Sequence, residues 1–348
     1  MDISNYTIHG DVPFEVALSE LDRRATQILL VVDCDRILRG TITDGDMRRA
    51  ILRKVPMDSP VSILMNPRPV TVTTDCSERR AKELMVERRV HHLPVIDEHG
   101  RLKGIFTENE LIGVDRLELR AVLMVGGLGQ RLGELTRECP KPLLKIGGKP
   151  ILQTIVEQLY SSGVRDIYMA VNYLATKIKT FFGDGSAFGV KITYLEEDKP
   201  LGTAGALRLL ELSGDRPLLV MNGDILTKVN YAHLLRFHNE SRASATMCVR
   251  EYVFNVPYGV VKVEESEITG IEEKPASHFF INSGIYILDP SVLHYIPVDG
   301  PFTMPELFDM LRENHKKTVA YPIHEYWMDI GNPEDFKSAH YNYEKIFK

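Results

Sequence analysis

The order of apolar and polar positions divides the chain into two unlike regions. In the N-terminal region, short apolar runs come in pairs. Residues 28–33 (ILLVVD) precede a turn and then 38–46 (LRGTITDGD), while residues 93–97 (LPVID) precede Gly100 and then 102–110 (LKGIFTENE). Each pair predicts strand, turn, strand and then a helix, MRRAIL after the first and a shorter ELIGV after the second. An amphipathic spacing over 77–89 predicts a further helix ahead of the second pair. A pattern that occurs twice marks this region as a tandem repeat of one small unit.

From Arg120 the pattern changes to uninterrupted apolar runs that alternate with helical periodicity. Strands are expected over 121–125, 166–171, 191–195 and 217–221, and helices over 151–162, 174–181 and 204–212. Strands separated by helices imply βαβ units, hence an α/β fold with a mainly parallel sheet covered on both faces. In such sheets ligands sit outside the carboxyl ends of the strands. The change of pattern divides the chain into domains at 1–118 and 119–348, and 348 residues accord with two or three domains at about 150 each. Between Val114 and Arg120 there is no Gly, Ser or Pro-rich tether, so a short junction and coupled domains are expected.

Candidate chemistry concentrates in 121–150, AVLMVGGLGQRLGELTRECPKPLLKIGGKP. An apolar strand runs into Gly126, Gly127 and Gly129, which let backbone amides approach an anion, and Arg131 and Lys141 add positive charge. A dinucleotide fingerprint would need glycine where Leu132 stands, and no stretch has the Walker spacing. Asn222-Gly223-Asp224 also follows an apolar strand, so it can converge on the glycine turn. With Asp329, in EYWMDIGNPEDF, Asp224 makes a pair of carboxylates suited to one Mg²⁺, although each alone reads as a turn or cap residue. Glu197 precedes a second glycine turn, LGTAGAL, whose amides are expected to address a ligand. Glu273 and Lys274 stand in IEEKP, where the plain alternative is a surface charge run before a turn proline.

With RL, LT and PKPL at this spacing, the chain resembles the sugar-1-phosphate nucleotidyltransferases, whose signature is approximately GGxGTRLxPLTxxxPKPL. It departs from that signature at Gln130 and Glu134. LGTAG, NGD, EKP and WMDIG follow in order, so the resemblance runs from Arg120 to about Phe336. It implies a Rossmann-like, GT-A-like domain that joins a nucleoside triphosphate and a sugar 1-phosphate, releasing pyrophosphate. By resemblance Leu123, Val125, Gly126, Gly127, Gly129, Glu197, Gly202, Thr203 and Asn222 hold the nucleotide. Gly259, Glu273, Asn282, Gly284 and Trp327 surround the sugar, and Lys274 holds its phosphate. Arg131, Lys141, Asp224, Lys274 and Asp329 carry the chemistry, and Asp224 and Asp329 hold Mg²⁺. The resemblance puts Glu197 at the Watson–Crick edge of the base. A carboxylate only accepts hydrogen bonds, and guanine presents two adjacent donors, so GTP is expected.

The N-terminal region resembles a tandem pair of CBS domains, an α+β module. In that family the Thr and Asp of a G-h-h-T-x-x-D stretch hold a nucleotide, which points to Thr43 with Asp46 and to Thr107 with Glu110. The competing reading is plain helix capping. The combined architecture is similar to the CBS-linked guanylyltransferases of bacterial legionaminic-acid-type pathways, which use glucosamine 1-phosphate. A regulatory purine nucleotide and a homo-oligomer are the implied partners.

Composition narrows the remaining classes. A net charge of −6 with dispersed basic residues argues against nucleic acid. Cys34, Cys76, Cys139 and Cys248 form no CxxC pair and read as reduced thiols. His91 and His92 have no partner at metal-ligand spacing and read as packing residues. No apolar run approaches the roughly 20 residues of a membrane span, and the N-terminal stretch lacks a leader pattern, so a soluble cytoplasmic protein is expected. No hexapeptide repeat follows the transferase motifs, which argues against an appended β-helix. Three other readings stand beside the guanylyltransferase: a catalytically dead nucleotide sensor, a uridylyl- or thymidylyltransferase for glucose or mannose 1-phosphate, and an NAD-dependent oxidoreductase, which lacks its fingerprint.

Overall fold

The computed structural model describes residues 3–23, 27–108, 116–127 and 129–347. The chain forms two compact units, Met1–Arg116 and Leu117–Lys348. The helix expected at ELIGV lies outside the described residues.

In the N-terminal unit, β1 (Thr7–His9) leads to α1 (Phe14–Arg23), then β2 (Ile28–Val32), β3 (Leu38–Thr43) and α2 (Asp44–Leu52). The second copy runs β4 (Val72–Thr73), α3 (Glu78–Arg88), β5 (His92–Ile96) and β6 (Leu102–Thr107). Both copies pair their first strand parallel and their last antiparallel to the middle one, at one constant offset. Ile28 faces Thr43 as His92 faces Thr107, and Ile8 faces Val31 as Val72 faces Val95. Even the bulges coincide, at Val31/Val32 and Val95/Ile96. Each turn is built on an aspartate: Asp33 Oδ1 accepts the amides of Asp35 and Ile37, and Asp97 Oδ1 those of His99 and Arg101. Those amides hold both carboxyls below the usual range. The copies share one core, in which Ile28, Leu30 and Val32 pack with Leu102 and Ile105. Strands as short as β1 and β4 carry too little periodicity to be seen in the sequence.

The C-terminal unit opens with β7 (Arg120–Met124), the small hairpin β8 (Lys145–Ile146) and β9 (Lys149–Pro150), and α4 (Ile151–Ser161). It continues with β10 (Asp166–Val171), α5 (Ala175–Phe182), β11 (Lys191–Glu196), α6 (Gly202–Gly205), β12 (Leu218–Asn222), β13 (Ile225–Thr227) and α7 (Tyr231–Ser241). Then follow β14 (Ala245–Asn255), β15 (Val260–Glu264), β16 (Glu267–Glu272), β17 (Ala276–Leu288), α8 (Met304–Glu313), β18 (Thr318–Pro322), β19 (Trp327–Asp329) and α9 (Pro333–Phe347). Among the described residues the main sheet has the order β11-β10-β7-β12-β17-β14-β18, parallel except where β17 pairs. Leu123 packs into one apolar cluster and Val122 into another, so β7 is buried on both faces and reads as an unbroken apolar run.

Helix 204–212 is a misjudged expectation. The helix spans only Gly202–Gly205, continues as a 3₁₀ turn over Ala206–Leu209, and ends at an extended Leu210. Farther on, β14 and β17 outrun the sheet: β18 pairs only as far as Val249, and β12 only as far as Ile285. Beyond those points they form a two-stranded ribbon that carries the β15–β16 hairpin. Among the described residues no helix is long and apolar enough to cross a membrane.

Candidate active site

Strands β7 and β12 are parallel neighbours, so the loops leaving their carboxyl ends lie side by side, tied where the Gly223 amide donates to Met124 O at 2.9 Å. Between them is a cavity of about 350 Å³ lined by Gly127, Gly129, Arg131, Lys141, Gly223, Asp224 and Gly331, with Val125 at its floor. Gly129 has φ +64°, and a Cβ there would come 2.9 Å from the Thr136 methyl. The Thr136 hydroxyl in turn donates to Gly129 O and Gly133 O and staples the loop. Thr136 belongs to the LT motif, but nothing local in the sequence marks it for this role. Lys141 sits in a 3₁₀ turn bracketed by Pro140 and Pro142, which holds its side chain inward and buried. The segment before it is anchored by Tyr173 Oη to Arg137 O at 3.1 Å and by Lys177 to Glu138 O.

Asp224 and Asp329 are brought together by the antiparallel pairing of β13 with β19, which sets Ile225 opposite Asp329, and by the Ile330 amide donating to Asp224 O at 3.1 Å. Lys141 pairs with Oδ2 of Asp224. Oδ1 of Asp224 and Oδ1 of Asp329 are buried with no hydrogen-bond partner among the described residues. Burial pushes the Asp329 carboxyl up, and the Asp224 charge adds to it against the opposing pull of Lys141 and Arg131. Two buried, unsatisfied carboxylate oxygens, on aspartates close enough for their charges to interact, fit a hard divalent cation, which prefers oxygen ligands. Asp335 accepts the amides of Gly331 and Asn332 at 3.1 Å, and this turn keeps Gly331 beside Arg131: a Cβ on Gly331 would come 3.4 Å from a guanidinium nitrogen.

Glu197 stands at the end of β11, half-buried, its Oε2 accepting the Leu201 amide at 2.9 Å. Its Oε1 lies 3.0 Å from where a Cβ of Gly126 would be, and burial raises its carboxyl. Glu197 thus faces the glycine loop, although it does not line the cavity.

Several expected contacts are taken by the protein itself. Leu123 is wholly buried in the core, so it supports the loop from beneath. The amides of Ala204 and Gly205 both donate to Phe302 O at 2.9 Å, and Thr203 Oγ1 accepts the Met304 amide, so the turn after Gly202 is committed to the 302–304 segment. Gly284, at φ +71°, leaves room for Asn222: a Cβ would come 2.7 Å from its amide nitrogen. Gly259 likewise leaves room for the Glu273 carboxylate, at 2.9 Å. Asn282 donates to Tyr286 Oη and accepts from Gly284 N, while Trp327 Nε1 donates to Ser283 O at 2.9 Å. Glu273 and Lys274 are exposed between β16 and β17, outside the cavity lining.

In the N-terminal unit Thr43 and Asp46 form a reciprocal capping box at the start of α2, and Arg49 pairs with Asp46. Capping therefore accounts for both side chains. Thr107 is buried opposite His92, and Glu110 lies outside the described residues. Thr43→Ala should lower stability by about 0.5–2 kcal/mol, measured by denaturant unfolding, with Thr43→Ser close to the parent.

The family described as nucleotidyl transferase matches residues 120–346, and the CBS domain matches 61–116. The chain is 38% identical over 229 residues to a mannose-1-phosphate guanyltransferase of Yarrowia lipolytica, covering 64% of this chain and 63% of that protein. It is 36% identical over 228 residues to a probable mannose-1-phosphate guanylyltransferase 1 of Oryza sativa subsp. japonica, with 63% of each covered. The match thus spans less than two thirds of the length of these relatives. HddC from Yersinia pseudotuberculosis, also solved in complex with GMP-PN, superposes with TM-score 0.50 at 28% identity, over 64% of this chain and 99% of that one. A putative glucose-1-phosphate thymidylyltransferase from Bacillus anthracis shares the fold, with TM-score 0.52 at 24% identity over 64% and 94%. A cavity between the β7 and β12 loops, a pair of aspartates brought together by β13 and β19, and a family match across most of the chain together make it a member of the nucleotidyl transferase family, with a CBS domain ahead of the transferase fold.

Proposed function

We infer that this chain joins GTP and a hexose or hexosamine 1-phosphate into a nucleoside diphosphate sugar, releasing pyrophosphate. The observation that carries this reading is the convergence of Arg131, Lys141 and Asp224 on one cavity beside the glycine loop, with Asp329 on the strand paired to that of Asp224 and a buried, unpartnered Oδ1 on each aspartate. An oxygen of the sugar phosphate attacks the α-phosphorus in line. The new P–O bond forms as the bond to the β-phosphate oxygen breaks, and pyrophosphate leaves with that electron pair. The nucleophile is already anionic near neutral pH, so no general base is needed. Catalysis is then positioning and charge neutralisation. Lys141, with one donor on Asp224, has two more for phosphate oxygens. Arg131 faces the leaving phosphates, and Lys274 the phosphate of the sugar. Asp224 and Asp329 would hold a divalent cation, Mg²⁺ in this reading, whose chemistry is to neutralise charge on the phosphate oxygens.

Glu197 and the guanylyltransferase names of the relatives both favour GTP. For the sugar, the CBS-linked architecture favours glucosamine 1-phosphate and the relatives' names favour mannose 1-phosphate. The test is pyrophosphate release from GTP, UTP and dTTP, each against glucosamine, mannose and glucose 1-phosphates. Release from none of the pairs would leave the nucleotide-sensing reading in possession. A regulatory purine nucleotide at the N-terminal repeats belongs to the same reading, and titration calorimetry of the full chain with AMP, ATP, GMP and GTP tests it.

Arg131→Ala should lower kcat more than it weakens sugar-phosphate binding, because charge builds on the leaving pyrophosphate in the transition state. Lys274→Ala should chiefly raise the sugar-phosphate KM. Steady-state kinetics of the two variants decide the division of roles, and it is wrong if they change the same constant.

A further inference from the structure

Arg131 stands on the 3₁₀ turn Gln130–Thr136 with its side chain exposed, and among the described residues it makes no hydrogen bond or ion pair. Its planar fork of donors serves a phosphate only when the plane is aimed. A long side chain left free must be ordered each time it grips a ligand, and that ordering is unfavourable. The surface against which Arg131 lies is Gly331, which is buried and lines the same cavity. A Cβ on Gly331 would come 3.4 Å from a guanidinium nitrogen, 3.8 Å from the guanidinium carbon and 3.3 Å from Oδ2 of Asp335. Cation and carboxylate thus close on the one point that a side chain would fill. The φ of Gly331 is not positive, so the backbone alone does not require glycine there.

Asp335 does more than its place at the start of α9 demands. Asn332 Oδ1 accepts the amides of Glu334 at 2.8 Å and Asp335 at 3.0 Å, and Asp335 Oδ2 accepts the Asn332 amide at 3.1 Å. That reciprocal box is sufficient to cap the helix. The same Oδ2 also accepts the amide of Gly331, at 3.1 Å, which lies outside the helix. Capping has no use for this bond; its effect is to fix residue 331. From the other side the Ile330 amide donates to Asp224 O, so the seat is held at both ends. The Asp329 carboxyl, raised chiefly by burial, senses both charges: Arg131 pulls it down and Asp335 pushes it up.

We propose that Gly331 and Asp335 are positioning residues for Arg131: the bare backbone at 331 seats the guanidinium, and Asp335 holds that seat still, so Arg131 meets the leaving phosphates already oriented. That role rests on the assignment of Arg131 to the leaving phosphates. It gives two residues about 200 positions away from the glycine loop a share in the same step. Neither touches substrate in this account; both act through Arg131.

The test is titration calorimetry of the full chain with pyrophosphate in the presence of Mg²⁺, beside steady-state pyrophosphate release from GTP and the sugar 1-phosphate the parent uses best. Gly331→Val puts methyl groups where the guanidinium rests. It should approach Arg131→Ala, with kcat and pyrophosphate affinity each down at least about tenfold and the sugar-phosphate KM within about threefold of the parent. Gly331→Ala, which asks only for a small shift, should lose less. Asp335→Ala should follow Gly331→Val, while Asp335→Asn keeps an oxygen for both amides and should restore most of the parental values. Arg131→Ala combined with Gly331→Val should be no worse than Arg131→Ala alone, because residues that act through one another do not add. If Gly331→Val does not fold, Gly331→Ala and the two Asp335 variants decide in the same terms. Losses that multiply in the double variant would overturn the proposal. So would Gly331 and Asp335 variants that melt lower yet keep parental kcat and pyrophosphate affinity, since that is helix capping alone. Parental kcat and pyrophosphate affinity in Arg131→Ala itself would overturn the seat and the assignment of Arg131 together.

Discussion

Asp224→Asn and Asp329→Asn are each expected to lose at least ~10²-fold in turnover, the scale of losing a metal ligand, while moving thermal stability in opposite directions. Asp224 is the counter-ion of a buried ammonium, so neutralising it leaves Lys141 without its partner and should lower the melting temperature. Asp329 is the reverse case. Its carboxyl is raised by burial and by the Asp224 charge, so in metal-free protein the folded state binds its proton more tightly than the unfolded chain does. Stability from this group is therefore present at low pH and falls as pH rises from the ordinary carboxylate range through the raised value. The penalty persists at neutral pH, and Asp329→Asn removes it, so this variant should melt higher than the parent and lose that part of the acid-range slope. Added Mg²⁺ should raise the melting temperature of the parent and not of Asp329→Asn. Near-parental turnover of either variant at saturating Mg²⁺ would remove the metal assignment, and a lower melting temperature for Asp329→Asn would remove the electrostatic account.

The second large effect is expected at the base. GTP should be preferred over UTP and dTTP, and Glu197→Gln should erode that preference by about 10- to 100-fold, equivalent to roughly 1.5–3 kcal/mol for a charged acceptor lost from buried donors. One carboxylate oxygen of Glu197 is already engaged by the Leu201 amide, which fixes the side chain's direction. The other lies beside Gly126, at the mouth of the glycine loop. Glutamine can keep the first bond, but it must then turn an amide donor toward the two donors of guanine. Competition assays with paired nucleotides at fixed sugar phosphate measure the ratio. A parent enzyme that favours UTP or dTTP would exclude the base reading altogether.

What could be read along the chain is what local periodicity and local chemistry determine. Strands β7, β10 and β12 are visible because a strand buried on both faces must be apolar at every position. Helix α3 is visible because Ser77 caps it and its apolar spacing is helical. The glycine loop, the proline-bracketed Lys141 and the two aspartates are likewise local signals; the loop, Lys141 and Asp224 line one cavity, and Asp329 stands on the strand paired beside Asp224. The repeat was legible for the same reason, since both copies carry the same turn aspartate at Asp33 and Asp97.

Tertiary structure alone decided who occupies the space and the hydrogen-bonding capacity around those residues. Lys141 and Asp224 are 83 residues apart, and nothing local marks them as an ion pair. The amides of the second glycine turn were expected to be free for a ligand, but the Phe302 carbonyl takes them, because the 302–304 segment folds back across the turn. Gly259 and Gly284 were legible as glycines needed for close approach. That the approaching groups are Glu273 and Asn222 depends on register between strands, which a single sequence does not specify. The exposure of the β14–β17 ribbon is decided by the paths of β12 and β18, which leave it before its tip.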